Sequence, residues 1–200
     1  MKKSRYAALF LAAVLSVSAF GSCNRHKSST NIDDISIADV TTVPVAQNKI
    51  PADMGQSVTV NDTTFTLNSV ISPENITENG QRYVFFDVTI KNNTDTTYSL
   101  STLNNFYIIL NGSTNVYSDV RTQLYAMQNF KDDAYFSDPF DIPAQSEFKG
   151  IVGGFLIDQN TTDFSVGFFP TKDMPTAKGD VIMIDVKSDS IVAPDASLLK

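Results

Sequence analysis

The sequence predicts an all-β fold, an antiparallel β-sandwich of about seven to nine strands. From Met54 onward, short segments alternate apolar and polar residues, which is the pattern of strands that bury one face. Residues that favour turns, namely Gly, Pro, Asn and Asp, separate these segments. No segment shows a clear apolar stripe with the period of an amphipathic helix. Short strands joined by turns usually fold into two packed sheets.

The first strands are predicted around one turn and one long apolar segment. Residues 55–60 and 64–71 flank Asn61-Asp62, a pair that favours a turn, and therefore predict a hairpin. Residues 81–91 are the strongest candidate strand because their two faces separate clearly. The face expected in the core carries Val84, Phe86, Val88 and Ile90, and the opposite face begins with Tyr83 and Phe85.

Six further strands complete the predicted series. They cover residues 97–100, 106–110, 116–120, 147–157, 163–169 and 181–186. Asn111-Gly112 predicts a tight hairpin turn because both residues tolerate positive φ. Gly153-Gly154 predicts a bulge that lets a neighbouring strand or side chain pack closely. Residues 121–146 are expected to form a long loop.

The N-terminus predicts export to the membrane. Three basic residues within the first five positions precede an apolar stretch over residues 7–17, and small residues follow, as in a secretory signal. The segment Phe20-Gly21-Ser22-Cys23 resembles the lipobox of bacterial lipoproteins, although Phe20 stands where that motif usually has Leu. The resemblance implies cleavage before Cys23 and a diacylglycerol-type lipid on its thiol. The protein would then lie at the extracytoplasmic face of the cell membrane.

Two alternatives for the N-terminus are weighed against lipidation. A spanning helix needs about 20 apolar residues, whereas this stretch is shorter and interrupted by Ser16 and Ser18. An ordinary signal peptide would leave Cys23, the only cysteine, as a free thiol in an oxidising compartment. With two acyl chains on Cys23, anchoring would be stable.

The chain divides into four predicted zones. Residues 1–22 are the lipoprotein signal peptide, and residues 23–53 are a lipidated, disordered tether rich in Ser, Thr, Asp and Asn. Residues 54–187 form the sandwich. Residues 188–200 are mostly small and polar, and they predict a flexible tail.

The charge balance argues against one class of partner, and the cysteine content bears on how the fold is stabilised. The chain has 15 basic and 22 acidic residues, and the signal holds three of the basic ones, so the mature net charge is 12 minus 22, or −10. Nucleic-acid binding needs clustered Lys and Arg, so no nucleic-acid partner is expected. With a single cysteine, an apolar core must provide the stability.

Several strands also resemble a known family. The matching residues are the strand from Val84 to Asn92, Phe106 with Tyr107, the turn from Ile142 to Ser146, and the segment from Gly150 to Phe155. They resemble an uncharacterised extracellular family of immunoglobulin-like domains. Its members are frequently lipoproteins of Gram-positive bacteria, grouped with a secreted mycobacterial antigen as "immunoprotective extracellular" proteins.

The resemblance spans roughly residues 54–186 and has one visible departure. Ala144-Gln145 replaces the glycine usual in the family's turn. The resemblance implies an immunoglobulin-like sandwich, and since the family has no established activity it implies no catalytic residues.

The residue inventory predicts that the protein is not an enzyme. His26, the only histidine, lies three residues after Cys23 in the predicted tether, where it cannot orient a buried nucleophile or complete a His-based metal site. A pair of carboxylates or a Ser-Lys pair would remain possible in principle. Neither leaves a signature in the spacing, and no cofactor other than the lipid is expected.

An acidic loop is the weak candidate for binding a cation. Residues 131–141 bring four carboxylates together with aromatic residues, and Ca²⁺ takes oxygen ligands from such loops. The loop lacks the ligand spacing and the glycine of a calcium loop, so a solvated loop is the favoured interpretation. The candidate ligands are Asp132, Asp133, Asp138 and Asp141.

Aromatic residues supply the weak candidates for binding a partner. Tyr83 and Phe85 lie opposite the core face, so either a neighbouring loop covers them or they form an exposed patch. Coverage is the favoured alternative. Four tyrosines that could stack on sugar rings are Tyr107, Tyr117, Tyr125 and Tyr135.

The sequence therefore predicts a membrane-anchored, extracytoplasmic and non-catalytic interaction module. Its partners would be the membrane, through the lipid, and a protein or envelope ligand of unknown identity. The alternative is an accessory domain that binds a carbohydrate or small ligand. An apolar surface patch would favour the first function, and a tyrosine-lined groove the second.

Overall fold

The structure is a computed structural model that describes residues 48–73, 77–170 and 179–200. Cys23, the predicted signal peptide over residues 1–22 and the predicted tether up to residue 47 lie outside the described residues. What the sequence predicts for them therefore stays a prediction.

Twelve strands and two α-helices follow one another in the described part of the chain. The strands are β1 (Lys49–Ala52), β2 (Val58–Val60), β3 (Thr63–Ile71), β4 (Gln81–Asn92), β5 (Tyr98–Leu100), β6 (Phe106–Leu110), β7 (Thr114–Val116), β8 (Phe140–Ile142), β9 (Glu147–Asp158), β10 (Asp163–Phe168), β11 (Val181–Lys187) and β12 (Ile191–Val192). The helices are α1 (Thr102–Asn105) and α2 (Val120–Asn129). Within the described ranges, neither has the length and apolar character needed to cross a bilayer.

Two sheets pack face to face and a short ribbon accompanies them. The first sheet has the order β1-β11-β10-β6-β7, and the second has the order β12-β3-β4-β9 with β2 also pairing with β3. Strands β5 and β8 form the ribbon. Only the short pairs β1–β11 and β12–β3 are parallel among the described pairs. The predicted all-β, antiparallel sandwich is confirmed, and β1, β8 and β12 are the strands that the sequence did not predict.

The core lies between the inner faces of the two sheets and is rich in phenylalanine. Phe65 of β3 stacks on Phe168 of β10 with ring centroids 4.2 Å apart, which joins the second sheet to the first. The ring centroid of Phe86 in β4 lies 6.0 Å from that of Phe106 in β6 and 4.9 Å from that of Phe155 in β9. The predicted core face of β4 is confirmed, because its four side chains are fully buried: Val84, Phe86, Val88 and Ile90.

A buried amide links two of the motifs that carry the family resemblance. Asn92 ends β4, and its Nδ2 donates to the carbonyl oxygens of Thr96 at 2.8 Å, Ile142 at 3.0 Å and Pro143 at 3.1 Å. Its Oδ1 accepts from the backbone N–H of Thr94 at 2.9 Å and from the Thr94 hydroxyl at 2.7 Å. The end of β4 is thereby held against the turn that follows β8.

The predicted bulge in β9 is confirmed. The register of the β4–β9 pair shifts between Val84, which pairs with Phe155, and Phe85, which pairs with Gly153. Gly153 has φ +108°, a conformation that favours glycine. A Cβ added to Gly154 would lie 2.6 Å from the Phe85 ring and 2.8 Å from the Thr122 side chain. The glycine therefore lets α2 approach the sheet closely.

The prediction of a strand at residues 116–120 and a loop to residue 146 is wrong in part. Strand β7 ends at Val116, and Val120 begins α2. The side of α2 that faces the sheet fully buries only Thr122 and Ala126, which are small, and half-buries Tyr125. The larger apolar residues of α2 do recur every three or four positions, but the assignment of Val120 to a strand hid that spacing.

Both predicted ends of the sandwich are also corrected. Strand β1 lies inside the predicted tether, and it pairs with β11 from Lys49, so the sheet starts before Met54. The predicted tail contains β12, which pairs with β3, and Leu199, which forms a bridge with Phe130. Short segments of this kind are ordered by the sheet and helix that they contact. Their own composition does not indicate that they will be ordered.

Candidate functional site

The outer face of the second sheet is covered by α2 and the segments that follow it. Phe85 is fully buried there, with its ring 5.3 Å from Phe130 and 6.2 Å from Tyr135. Tyr83 is half-buried and stacks on Tyr125 of α2 at 4.7 Å. The alternative in which neighbouring residues cover these aromatics is the one observed. Phe85 is consequently not available as the partner-binding residue that the sequence offered as a candidate.

A capped first turn fixes α2 on the sheet. The Asp119 backbone N–H donates to the carbonyl oxygen of Gly154 at 3.1 Å, and Asp119 Oδ1 accepts from the backbone N–H of Arg121 at 2.8 Å. The Arg121 guanidinium also pairs with Asp119 Oδ2 at 2.6 Å. The hydrogen bonds from Arg121 lower the pKa of Asp119 below its usual value. The helix therefore begins at a carboxylate that stays ionised in mild acid.

The outward side of α2 is apolar. Val120, Leu124 and Met127 are exposed by 68, 55 and 52%. Their spacing of four and three residues places them on one side of a helix, opposite Thr122 and Ala126. We call these three side chains the α2 face. The more hydrophobic side of this helix thus faces solvent.

Helix α1 also exposes one large apolar residue, Leu103. It is 61% exposed, and Tyr117, just before α2, is 39% exposed. Within the described ranges, Val192 is the one other large apolar residue that is exposed. Five of the six exposed large apolar residues thus lie on α1, on α2 or directly before α2.

Asp138 joins α1 to α2. Its Oδ1 accepts from the backbone N–H and the hydroxyl of Thr102, both at 2.8 Å. Its Oδ2 accepts from the backbone N–H of Leu103 at 3.2 Å and from Gln123 Nε2 at 3.3 Å. Leu103 and the first turns of α2 are therefore positioned by one carboxylate.

The other candidate cation ligands do not gather around Asp138. Asp141 accepts from the Ser99 hydroxyl, and Asp132 pairs with Lys200 Nζ at 2.8 Å. Asp133 lines an open cleft of about 300 Å³ beside Lys131 and Lys149. Over residues 48–73, 77–170 and 179–200, no three His, Cys, Asp or Glu side chains are arranged to hold a metal ion. The four carboxylates offered as weak candidate ligands thus lie in separate contacts.

Two of the four candidate tyrosines are buried and do not line a groove. The Tyr135 hydroxyl donates to the carbonyl oxygen of Gly153 at 2.7 Å, and that of Tyr107 contacts Met183 Sδ at 3.5 Å. Burial raises the pKa of Tyr107 to about 12. These two rings support the sheets, so a tyrosine platform for sugars is not formed by the four residues.

The α2 face was missed by the sequence analysis, although a signal for it exists. Tyr117, Val120, Leu124 and Met127 are spaced by three, four and three residues. That spacing is typical of one side of a helix. The assignment of Val120 to a strand hid the pattern.

Replacing Asp119 by alanine is expected to loosen α2. Loss of a helix N-cap costs about 1 kcal/mol, and we expect faster hydrogen exchange in the first turn of α2 with little change in the core strands. The pKa of Asp119 is lower in the folded protein than in the unfolded chain, where it is about 3.9. Its contribution to the stability of α2 is therefore present above the unfolded pKa and is lost as the pH falls through the folded pKa. Exchange of wild-type α2 should therefore accelerate in strong acid relative to β4. Equal rates in wild type and variant at neutral pH would contradict the capping role.

Comparison with known proteins identifies a family over most of the described chain. Residues 52–176 match the family model described as "Domain of unknown function (DUF4352)". In the comparison with curated proteins, no match is found.

Several solved structures are similar to the chain at low identity. The ycdA protein of Bacillus subtilis, described as a candidate lipoprotein, is 11% identical with a TM-score of 0.47, over 71% of this chain and 40% of that one. An uncharacterised β-sandwich protein of Clostridium difficile is 15% identical with a TM-score of 0.43, over 72% of this chain and 100% of that one. The secreted protein MPT63 of Mycobacterium tuberculosis is 12% identical with a TM-score of 0.44, over 70% of this chain and 100% of that one. This chain thus spans less than half of the Bacillus protein.

Proposed function

The chain belongs to the DUF4352 family, and on that premise we propose that it is a non-catalytic interaction module, anchored by lipid at the extracytoplasmic face of the membrane. Its α2 face binds a protein or another component of the cell envelope. The immunoglobulin-like character of the sandwich, suggested by the sequence resemblance, belongs to the same proposal.

The exposed apolar side of α2 is the observation that carries this proposal. Val120, Leu124 and Met127 are more than half exposed, although α2 is fixed on the sheet by Asp119 and by the contact of Thr122 with Gly154. Exposed apolar residues that cluster into a patch mark interaction sites, whereas scattered single ones do not. An apolar patch was the feature expected of an interaction module, as opposed to a sugar-binding domain.

The non-catalytic part of the proposal is supported by the residue inventory. His26 is the only histidine and lies in the predicted tether, and Cys23 is the only cysteine and lies in the lipobox. Nucleophilic chemistry that depends on His or Cys has no residues left in the sandwich. The lipid on Cys23 is the one group we propose to be attached.

The location is supported by the N-terminal sequence. The basic start, the apolar stretch and the small residues before Cys23 together fit a lipoprotein signal. The acidic balance of the mature chain, −10, disfavours nucleic acid as a partner. We therefore place the partner of the α2 face in the envelope, within reach of the anchored domain.

Photo-crosslinking in intact cells tests this function. A photoreactive amino acid at Leu124 is expected to give an adduct whose mass exceeds that of the protein alone. The same group at Val192, which is 47% exposed on β12, is the matched control and should give little adduct. Equal adduct formation at the two positions would show that the α2 face is not a preferred contact surface.

A further inference from the structure

We propose that the α2 face, together with Leu103, docks onto the surface of the lipid bilayer that holds the anchor. This inference rests on the lipid-anchored state of the proposed function and names the occupant of the same face. The membrane would then orient the domain as well as hold it.

The position at which the chain enters the domain favours docking on the membrane that holds the anchor. The Val181 backbone N–H donates to the Asn48 carbonyl oxygen at 2.9 Å, and β1 begins at the next residue. Across the first sheet, Ile50 pairs with Ile182, then Phe168, then Phe106, the residue that directly follows α1. Three strand spacings of about 4.8 Å separate the ends of this row by roughly 14 Å. The chain therefore enters at the end of the sheet where α1 exposes Leu103.

The length of chain before that position would keep the domain close to the membrane. Residues 24–47 are 24 residues whose composition predicts a flexible tether. Such a chain has an average span of roughly 27 Å and gives the tethered domain an effective concentration in the millimolar range. Four half-exposed aliphatic side chains bind a bilayer only weakly. At this effective concentration, weak binding is enough to keep the face occupied for much of the time.

The chemistry of the face favours lipid over protein. Its side chains are aliphatic, whereas the residues that dominate protein interfaces are Trp, Tyr and Arg, with Leu and Val under-represented. Arg121 is the only charged residue of α2, and Asp119 pairs with it at 2.6 Å. The α2 face itself is thus uncharged, and a zwitterionic bilayer suits it better than an acidic one, because acidic headgroups would repel the Asp138 carboxylate and the net charge of −10.

The geometry of α2 fits a helix lying in the plane of the bilayer surface. Ten residues span about 15 Å, and interfacial helices bury their apolar side about 5 to 10 Å deep. Thr122 and Ala126 hold the opposite side against the sheet, so the helix does not have to fold on contact. Docking would place the first turns of both helices at the headgroups.

A fluorescence experiment on the full mature protein tests the docking. Cys23 is the only native cysteine, and lipidation blocks its thiol, so Leu124→Cys provides a single site for an environment-sensitive dye. The labelled protein is reconstituted into phosphatidylcholine vesicles that contain a lipid with a nitroxide in its acyl chain. We expect quenching at position 124 to be at least about threefold stronger than for the control Val192→Cys, because the face lies below the headgroups.

Two results would overturn the proposal. One is equal quenching at positions 124 and 192 while the protein still floats with the vesicles, which would keep the anchor but remove the docking. The other is strong quenching at 124 that persists when Val120→Gln and Met127→Gln are added, because the dye itself would then be the cause. Failure of the anchor is distinguishable, since Cys23 would then take up dye and the protein would not float.

Discussion

Replacing Phe86 by alanine is expected to lower the free energy of unfolding by about 3 to 5 kcal/mol, because it leaves a cavity in a packed aromatic core. Phe86 is fully buried at the centre of the contact between the sheets, near Phe106 and Phe155. The loss should reduce the melting temperature by roughly 10 °C in a domain of this size.

The exposed Val192→Ala is the matched control for Phe86→Ala, and it should change stability by less than about 0.5 kcal/mol. Denaturant titration of both variants gives the two free energies. An unchanged midpoint for Phe86→Ala would mean that the inner and outer faces of β4 are assigned the wrong way round.

Replacing Asn92 by alanine is expected to cost about 3 kcal/mol, since several buried backbone groups would lose their partners. The side chain is fully buried and bonds to the backbone of Thr94, Thr96, Ile142 and Pro143. Replacing Asn92 by aspartate should cost more at neutral pH, because a carboxylate would face three carbonyl oxygens. Burial would raise the pKa of that carboxyl, so the aspartate variant should regain stability as the pH falls.

The neighbouring Asn93→Ala is the control for Asn92, because its side chain makes one described hydrogen bond, to the Thr64 hydroxyl at 3.0 Å. We expect a loss below about 1 kcal/mol for this variant. If Asn92→Ala were no more harmful than Asn93→Ala, the turn after β8 would not depend on the buried amide.

The strands were predictable because their alternation is local. Segment 81–91 separates its two faces clearly, and β4 buries Val84, Phe86, Val88 and Ile90 as that separation requires. The bulge at Gly153-Gly154 was predictable for a related reason, since paired glycines in a strand indicate a close approach. What the sequence did not indicate was the neighbour, which is Thr122 of α2.

The elements that were missed depend on contacts made far along the chain. Strand β1 and the last residues are ordered by β11, β3 and Phe130, and nothing in their own composition requires it. Helix α2 was missed for a different reason, because Val120 was assigned to a strand and the helical spacing of its apolar residues was hidden. Asn92 and Pro143 were noted as parts of a family resemblance, but their hydrogen bond became visible only in three dimensions.

The residues of the candidate site were also predictable from the sequence only in part. The sequence offered Tyr83 and Phe85 as an exposed patch or a covered one, and α2 covers them. The acidic loop was noted for its carboxylates, and Asp138 proved to be the link between the two helices. In each case the sequence offered the residue for another role, and its contacts could be identified only from the fold.

Intact mass of the mature protein, isolated from its native membrane, tests the central claim of a lipid-anchored module most directly. The account predicts a chain that begins at Cys23 and carries the added mass of a diacylglycerol group. A chain that begins elsewhere and carries no lipid would contradict it. The domain would then be freely secreted, and the docking of the α2 face on a bilayer would lose its tether.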